Sequence, residues 1–197
     1  MARLSREFYN GDTVEIARRL LGKVLVRRLD GELLAGRITE TEAYVGRCDK
    51  ACHAYGYKKT PRTSTLFMAP GHAYIYFIYG MYHCLNFVTE PEGEPSAVLI
   101  RGAEAVTNGD IIAENRFGCK MAEMTAYQRK NFLNGPGKLC RGLDLTRAQN
   151  GLNLTVPDSG LYVCDGPAPG HIQVGKRIGI DYAQEAADFP WRFWTEG

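Results

Sequence analysis

The stretch from Lys23 to Val45 constrains the fold more than any other. Lys23–Leu29 reads as a strand, Asp30-Gly31 is the two-residue signal of a tight hairpin, and a long strand returns from Glu32 to about Val45. A second apolar pair, His72–Tyr79 and Tyr82–Thr89, closes around Gly80-Met81, and Ala97–Arg101 follows as a fifth strand after the Pro91, Gly93 and Pro95 loop. Strands joined by hairpins rather than by crossover helices lie antiparallel. The helical signals sit around them. Asp12 and Glu15 have capping-box spacing ahead of Val14, Ile16, Ala17, Leu20 and Leu21, and Gly22 supplies a stop. Residues 108–134 are expected to be mainly helical with a break at Gly118, and a short helix begins at Pro136. Beyond Asn150 only Leu161–Cys164 and Arg177–Ile180 read as strands. No linker divides the chain. The expected fold is α+β: a single domain with a curved, mostly antiparallel β-sheet, a protruding β-hairpin and peripheral helices.

With 45% apolar and 23% charged residues, the 197-residue chain has material for a core, and disordered or fibrous classes fall away. No apolar run approaches the roughly 20 residues of a membrane span, so no membrane partner is expected. Met1-Ala2-Arg3-Leu4-Ser5-Arg6 lacks the apolar stretch of a signal peptide, and the six cysteines are expected to be reduced thiols of a protein that is not secreted. The net charge of +2 hides an uneven distribution: +5 in residues 1–62 and +3 in residues 101–151, against −3 in each of 63–100 and 152–197. Two basic stretches that a fold can bring onto one face permit an anionic partner.

Several side chains are out of place for a purely structural chain. Under regular alternation Leu34, Ile38, Glu40, Glu42 and Tyr44 share one face of the long strand, a face that starts apolar and ends in two carboxylates and a tyrosine. Either the strand runs out into water there, or the carboxylates line a functional pocket. In the second hairpin Tyr74 and Tyr76 share one face, and Tyr79-Gly80-Met81-Tyr82 puts large side chains at a turn where small polar residues are usual. These tyrosines either pack against the long loop of residues 46–65 or dock into a partner such as stacked bases. Cys48, Cys52 and His53 form half a metal site at most, with no second pair to complete four ligands, so no metal and no cofactor is expected. Gly135-Pro136-Gly137-Lys138 lacks phosphate-loop spacing and reads either as a plain helix start or as a single-phosphate contact.

Arg37-Ile38-Thr39-Glu40-Thr41-Glu42-Ala43-Tyr44, His53, Tyr74 through Tyr82, and Asn86 together resemble the alkyladenine (3-methyladenine) DNA glycosylase family. The resemblance continues through Val98-Leu99-Ile100-Arg101, Gly135 to Cys140, Arg177-Ile178-Gly179-Ile180 and Trp191-Arg192-Phe193, and so spans nearly the whole chain as one glycosylase domain over residues 1–197. It implies a monofunctional DNA-3-methyladenine glycosylase of base-excision repair. Such an enzyme flips alkylated or deaminated purines (3-methyladenine, 7-methylguanine, hypoxanthine) out of double-stranded DNA and hydrolyses the N-glycosidic bond, leaving an abasic site. By this resemblance Glu42 is the base that activates water, Tyr44, His53 and Tyr76 wall the pocket, and Asn86 discriminates against the exocyclic amine of guanine. Tyr79, with Met81 beside it, is the minor-groove wedge, Arg101 contacts the DNA backbone, and Lys138 is a weaker backbone contact. A monomer is implied, cytoplasmic or nucleoid-bound in a bacterium and nuclear in a eukaryote. The loop from Cys48 to Thr65 and the segment after the wedge depart from the family pattern and bear on lesion preference. Two other readings compete: a non-catalytic module stacking single strands on its tyrosines, and a small-molecule hydrolase or transferase using Glu40 and Glu42 as a pair.

Overall fold

The computed structural model describes residues 2–195. In chain order the elements are α1 (Arg6–Tyr9), α2 (Thr13–Arg19), β1 (Val24–Leu29), β2 (Glu32–Val45), β3 (Ala73–Ile78), β4 (Tyr82–Thr89), β5 (Ser96–Thr107), α3 (Gly109–Phe117), α4 (Ala126–Lys130), α5 (Pro136–Gly142), β6 (Leu161–Cys164), β7 (Ile172–Gly175) and β8 (Arg192–Thr195). They build one eight-stranded sheet in the order β3-β4-β5-β2-β1-β6, with β8 on the far end of β2 and β7 beside β8. Every strand pair is antiparallel. The Asp30-Gly31 turn has φ of 49° and 88°, the left-handed pair that matches strand twist. The Asp12 side chain accepts from the Glu15 amide and caps α2.

Three sequence expectations need correction. The fifth strand is longer than Ala97–Arg101, because it pairs along almost all of β2. Arg177–Ile180 is not a strand; the late strands are β7 and β8. Most important, the even alternation of β2 fails at Thr39. Ile38 pairs with Ala103 and Glu40 with Gly102, so Thr39 is an extra residue; Thr41 then pairs with Ile100, so Arg101 is an extra residue on β5. The two bulges reverse both strands together. Leu34 and Ile38 lie in the core before the bulge, but Ala43 lies there after it, and buried Thr41 donates to Ala17 O of α2 at 2.8 Å. Glu40, Glu42 and Tyr44 therefore face away from Leu34 and Ile38, on the opposite side of the sheet.

That reversal gives the central strands two apolar faces. One carries Ala43, Ile75, Leu85, Phe87, Val98 and Ile100, in the same core as Ile16 and Leu20 of α2 and Leu139 of α5. The other carries Tyr44, Tyr74, Tyr76 and Ala97, with Cys52, Ala54 and Leu66 of the long loop laid over them. The site forms between that second face and the loop. Among the described residues no helix is long and apolar enough to cross a membrane.

Candidate active site

Four adjacent strands supply the floor of a cavity of about 490 Å³: Tyr74, Tyr76 and Ile78 from β3, Cys84 and Asn86 from β4, Leu99 and Arg101 from β5, and Tyr44 from β2. Ala51, Cys52, His53 and Leu66 of the loop form one wall, residues 178–180 and Tyr182 a second, and Gly135–Lys138 a third. The last wall sits close because residue 137 has no side chain; a Cβ there would meet the Tyr82 ring at 2.7 Å.

Glu42 lies behind this cavity, fully buried. The Tyr44 hydroxyl donates to its Oε2 at 2.7 Å and the Ile178 amide donates to its Oε1 at 2.9 Å. Arg101 Nε stands 3.4 Å from Oε1 and also donates to Glu40 Oε1 at 3.0 Å, which takes a further bond from Arg192 Nε at 2.7 Å. Burial pushes the Glu42 carboxyl above its ordinary range; the Arg101 charge, the Tyr44 hydroxyl and the Ile178 amide pull the other way without cancelling it. The result is a fixed carboxylate that holds its proton more readily than a free one.

The aromatic side chains are fixed as well. His53 stacks edge-on to Tyr76 with centroids 4.6 Å apart, and its Nδ1 shares a hydrogen bond with the Tyr74 hydroxyl at 3.0 Å. Burial, with the Arg62 charge adding, lowers the His53 pKa to about 4, so the ring is neutral at physiological pH. Burial likewise raises the Tyr44 and Tyr76 hydroxyls, which stay protonated. Asn86 is buried, and its Nδ2 donates to Tyr74 O and Cys84 O, which fixes the amide's orientation in the floor. Neutral aromatic rings from Tyr44, His53 and Tyr76, with the Arg101 cation in the floor and the Glu42 carboxyl behind them, suit a planar, electron-poor ring.

A family model described as Methylpurine-DNA glycosylase matches residues 7–197. The chain belongs to the methylpurine-DNA glycosylase family. Similar proteins carrying the name "Putative 3-methyladenine DNA glycosylase" include one from Clostridium perfringens (strain SM101), 49% identical over 197 residues that cover 98% of this chain and 96% of the relative. One from Desulfitobacterium hafniense (strain Y51) is 48% identical, covering 100% of this chain and 96% of the relative. One from Bacillus cereus (strain B4264) is 49% identical, covering 96% and 94%. Membership makes the protein a DNA glycosylase, a hydrolase of N-glycosyl bonds that serves base-excision repair, and sets aside both competing readings.

Around the mouth, the glycosylase presents the β3–β4 hairpin. Its tip does not pack against the long loop: Tyr79 is 79% exposed and Met81 65%. Tyr79 and Gly80 both take positive φ, 54° and 67°, a conformation glycine adopts freely and tyrosine at a cost. Strain and an uncovered aromatic in one place mark a surface shaped for a partner. Arg101 lines the cavity instead of projecting from the surface, with its Nε engaged by Glu40. Lys138 turns back on its own neighbourhood: Nζ donates to Asn131 Oδ1 at 2.8 Å and Asn134 Oδ1 at 3.0 Å.

Other residues of the site take roles that the sequence reading did not assign to them. Glu40 is an arginine-binding partner, not half of a catalytic pair. Arg177 and Ile178 belong to the matched motif, but the role of the Ile178 amide, the pairing of buried Arg177 with Asp49 and the exposed Tyr182 at the mouth carried no readable signal. Arg177 and Asp49 are 128 positions apart, and a backbone amide has no residue code.

Proposed function

We propose that this glycosylase excises alkylated and deaminated purines, 3-methyladenine, 7-methylguanine and hypoxanthine among them, from duplex DNA by hydrolysis with a Glu42-activated water. The observation that supports this most is the Glu42 carboxylate: buried, aligned by Tyr44 and Ile178, and set at an aromatic slot rather than turned to solvent.

In this reading Tyr79 enters the minor groove and holds the space left by the extruded nucleotide, with Met81 beside it. The base slides between Tyr44 on one side and His53 and Tyr76 on the other, and Asn86 tests its edge. Purines alkylated at N3 or N7 carry positive charge, which the aromatic faces attract and a neutral His53 does not repel. The same charge favours the ionised form of Glu42 and offsets the cost of its burial. Water attacks C1′, its proton passes to Glu42, and the N-glycosidic bond breaks with its electron pair going to the base. An alkylated cation leaves as a neutral base and the DNA keeps an abasic site. A neutral lesion such as hypoxanthine gains less from stacking and has to be protonated as it leaves.

Arg101 serves as the backbone contact nearest the flipped nucleotide and Lys138 as a weaker one. The enzyme is monofunctional and works as a monomer. Lys138, held by two asparagines, makes no Schiff base, so borohydride is expected to trap no covalent adduct. The deciding experiment is chromatography of bases freed from methylated duplex DNA by wild type and Glu42→Gln. The variant is expected to bind lesion DNA and free no base; release near the wild-type rate would remove Glu42 from the reaction.

A further inference from the structure

Two buried charges behind the pocket have no part in the chemistry described above. Arg177 and Asp49 form an ion pair with both side chains at 0% exposure. Arg177 Nη1 donates to Asp49 Oδ2 and to Ala43 O (2.8 Å), and Nη2 donates to Asp49 Oδ1 (2.8 Å) and Ala186 O (2.9 Å). The guanidinium lies 4.7 Å from the Tyr44 ring centroid and 5.2 Å from that of Trp191. Asp49 in turn accepts from the Ala51 amide at 2.9 Å at the start of the loop that carries Cys52 and His53. The next residue after Arg177 is Ile178, whose amide donates to Glu42.

We propose that the Arg177–Asp49 pair is a positioning clamp for the general base, holding the Ile178 amide on Glu42 Oε1 and the Tyr44 ring in place beside it. The inference rests on Glu42 being that base. Ion pairs this deep contribute little net stability over an apolar pair of the same size, so stability alone does not account for it. What an apolar pair cannot do is direct four hydrogen bonds to β2, the long loop and the 3-10 helix Asp181–Asp188 at once. The segment it anchors needs such help: residues 176–180 have no helix or strand, and Ile178 is 48% exposed. The groups facing Glu42 are Glu40 and Tyr44 from β2, Arg101 from β5, Tyr76 from β3, Cys84 from β4, and Arg177 with the Ile178 amide from the segment after β7. Of the donors among them, the clamp bears on two: the Ile178 amide, next in the chain to Arg177, and the Tyr44 hydroxyl, through its ring.

The test is single-turnover base release from methylated duplex DNA across pH for wild type, Glu42→Gln, Asp49→Asn and Arg177→Lys, with lesion-DNA binding and folding measured in parallel. Asp49→Asn is expected to slow release by about 10- to 100-fold while binding changes far less, and to move the acid limb of the profile to higher pH as the amide bond to Glu42 loosens. A folded Asp49→Asn enzyme whose acid limb stays at the wild-type position overturns the inference, since a merely structural pair leaves that limb alone. Should the asparagine variant fail to fold, Arg177→Lys, which keeps the charge without the fork, is read the same way. In the wild type, amide hydrogen exchange at Ile178 is expected to be slow; exchange as fast as at open loop positions would also overturn it. If Glu42→Gln loses activity while Asp49→Asn keeps the wild-type profile, the clamp alone fails. If Glu42→Gln stays active, the reading beneath it fails as well.

Discussion

The phenolic hydroxyl of Tyr44 donates to Oε2 of Glu42 across 2.7 Å, and the two residues occupy alternate positions of the same strand, β2. One side chain thus serves as a wall of the slot and as a hydrogen-bond donor to its carboxylate. These two roles separate in Tyr44→Phe, which keeps the wall and removes the donor. Glu42 then holds its proton more tightly still. Activity, which needs the ionised form, is expected above a pH limit that has moved upward, with about a tenfold rate loss per unit of displacement at pH values below it. Rates against pH, wild type beside variant, check this; a limb that stays put shows the bond to be idle.

Glu42→Gln is expected to raise thermal stability while abolishing release. The folded carboxyl has a raised pKa, so it favours folding below the ordinary carboxylate range and loses that contribution as pH rises through the raised value. A glutamine carries no such penalty. Its melting temperature should exceed that of wild type at neutral pH, by about 2–4 °C for each kcal/mol recovered, and the gap should close in acid. Calorimetry at two pH values decides it. A variant less stable at neutral pH would mean that the charge is better compensated than its surroundings suggest.

At the hairpin tip, Tyr79→Gly trades a strained side chain for a residue at ease with φ near 54°. Stability is expected to be unchanged or higher by up to about 1 kcal/mol, the relief being partly offset by the flexible unfolded chain. Duplex binding should weaken, and excision of well-paired lesions should slow most. Equal affinity for lesion DNA in both proteins would leave the tyrosine without a role as a wedge.

Arg101→Gln acts in two ways. Without the cation, Glu42 is harder to ionise and the acid limit of activity moves up. If the guanidinium also meets a phosphate, the salt dependence of binding falls by about one counterion. Titrations at several salt concentrations separate this effect from the pH shift.

His53 is expected to stay neutral through the working range of the enzyme, titrating near 4. Proton NMR of the imidazole ring reads this directly. Removing the Arg62 charge should bring the midpoint upward, and a midpoint near 6.5 in the wild type would contradict the burial argument.

The hairpins were legible because their turns are local: Asp30-Gly31 needs only two residues to set its geometry, and the β1–β2 register follows. The aromatic floor was legible too, since Tyr74 and Tyr76 keep the two-residue period of β3 and no bulge interrupts its pairing with β4. Glu42 was recognised as out of place, but the face assigned to it rested on unbroken alternation. Nothing in Thr39-Glu40-Thr41 announces a bulge; it arises from how β5, more than sixty positions later, pairs with β2. Strands β7 and β8, of four residues each, were too short to outweigh the β-branched look of Arg177–Ile180. That stretch is irregular because its amide and its guanidinium are committed to side chains and carbonyls elsewhere.

The paired irregularities at Thr39 and Arg101 make the reading frame of β2 a matter of chemistry as well as of packing. Lose Thr39, and everything downstream in β2 turns over: Thr41 and Ala43 come round to the slot, while a glutamate is pressed into hydrocarbon. Single-residue insertions or deletions between positions 38 and 41 should therefore be far less forgiving than substitutions at the same positions.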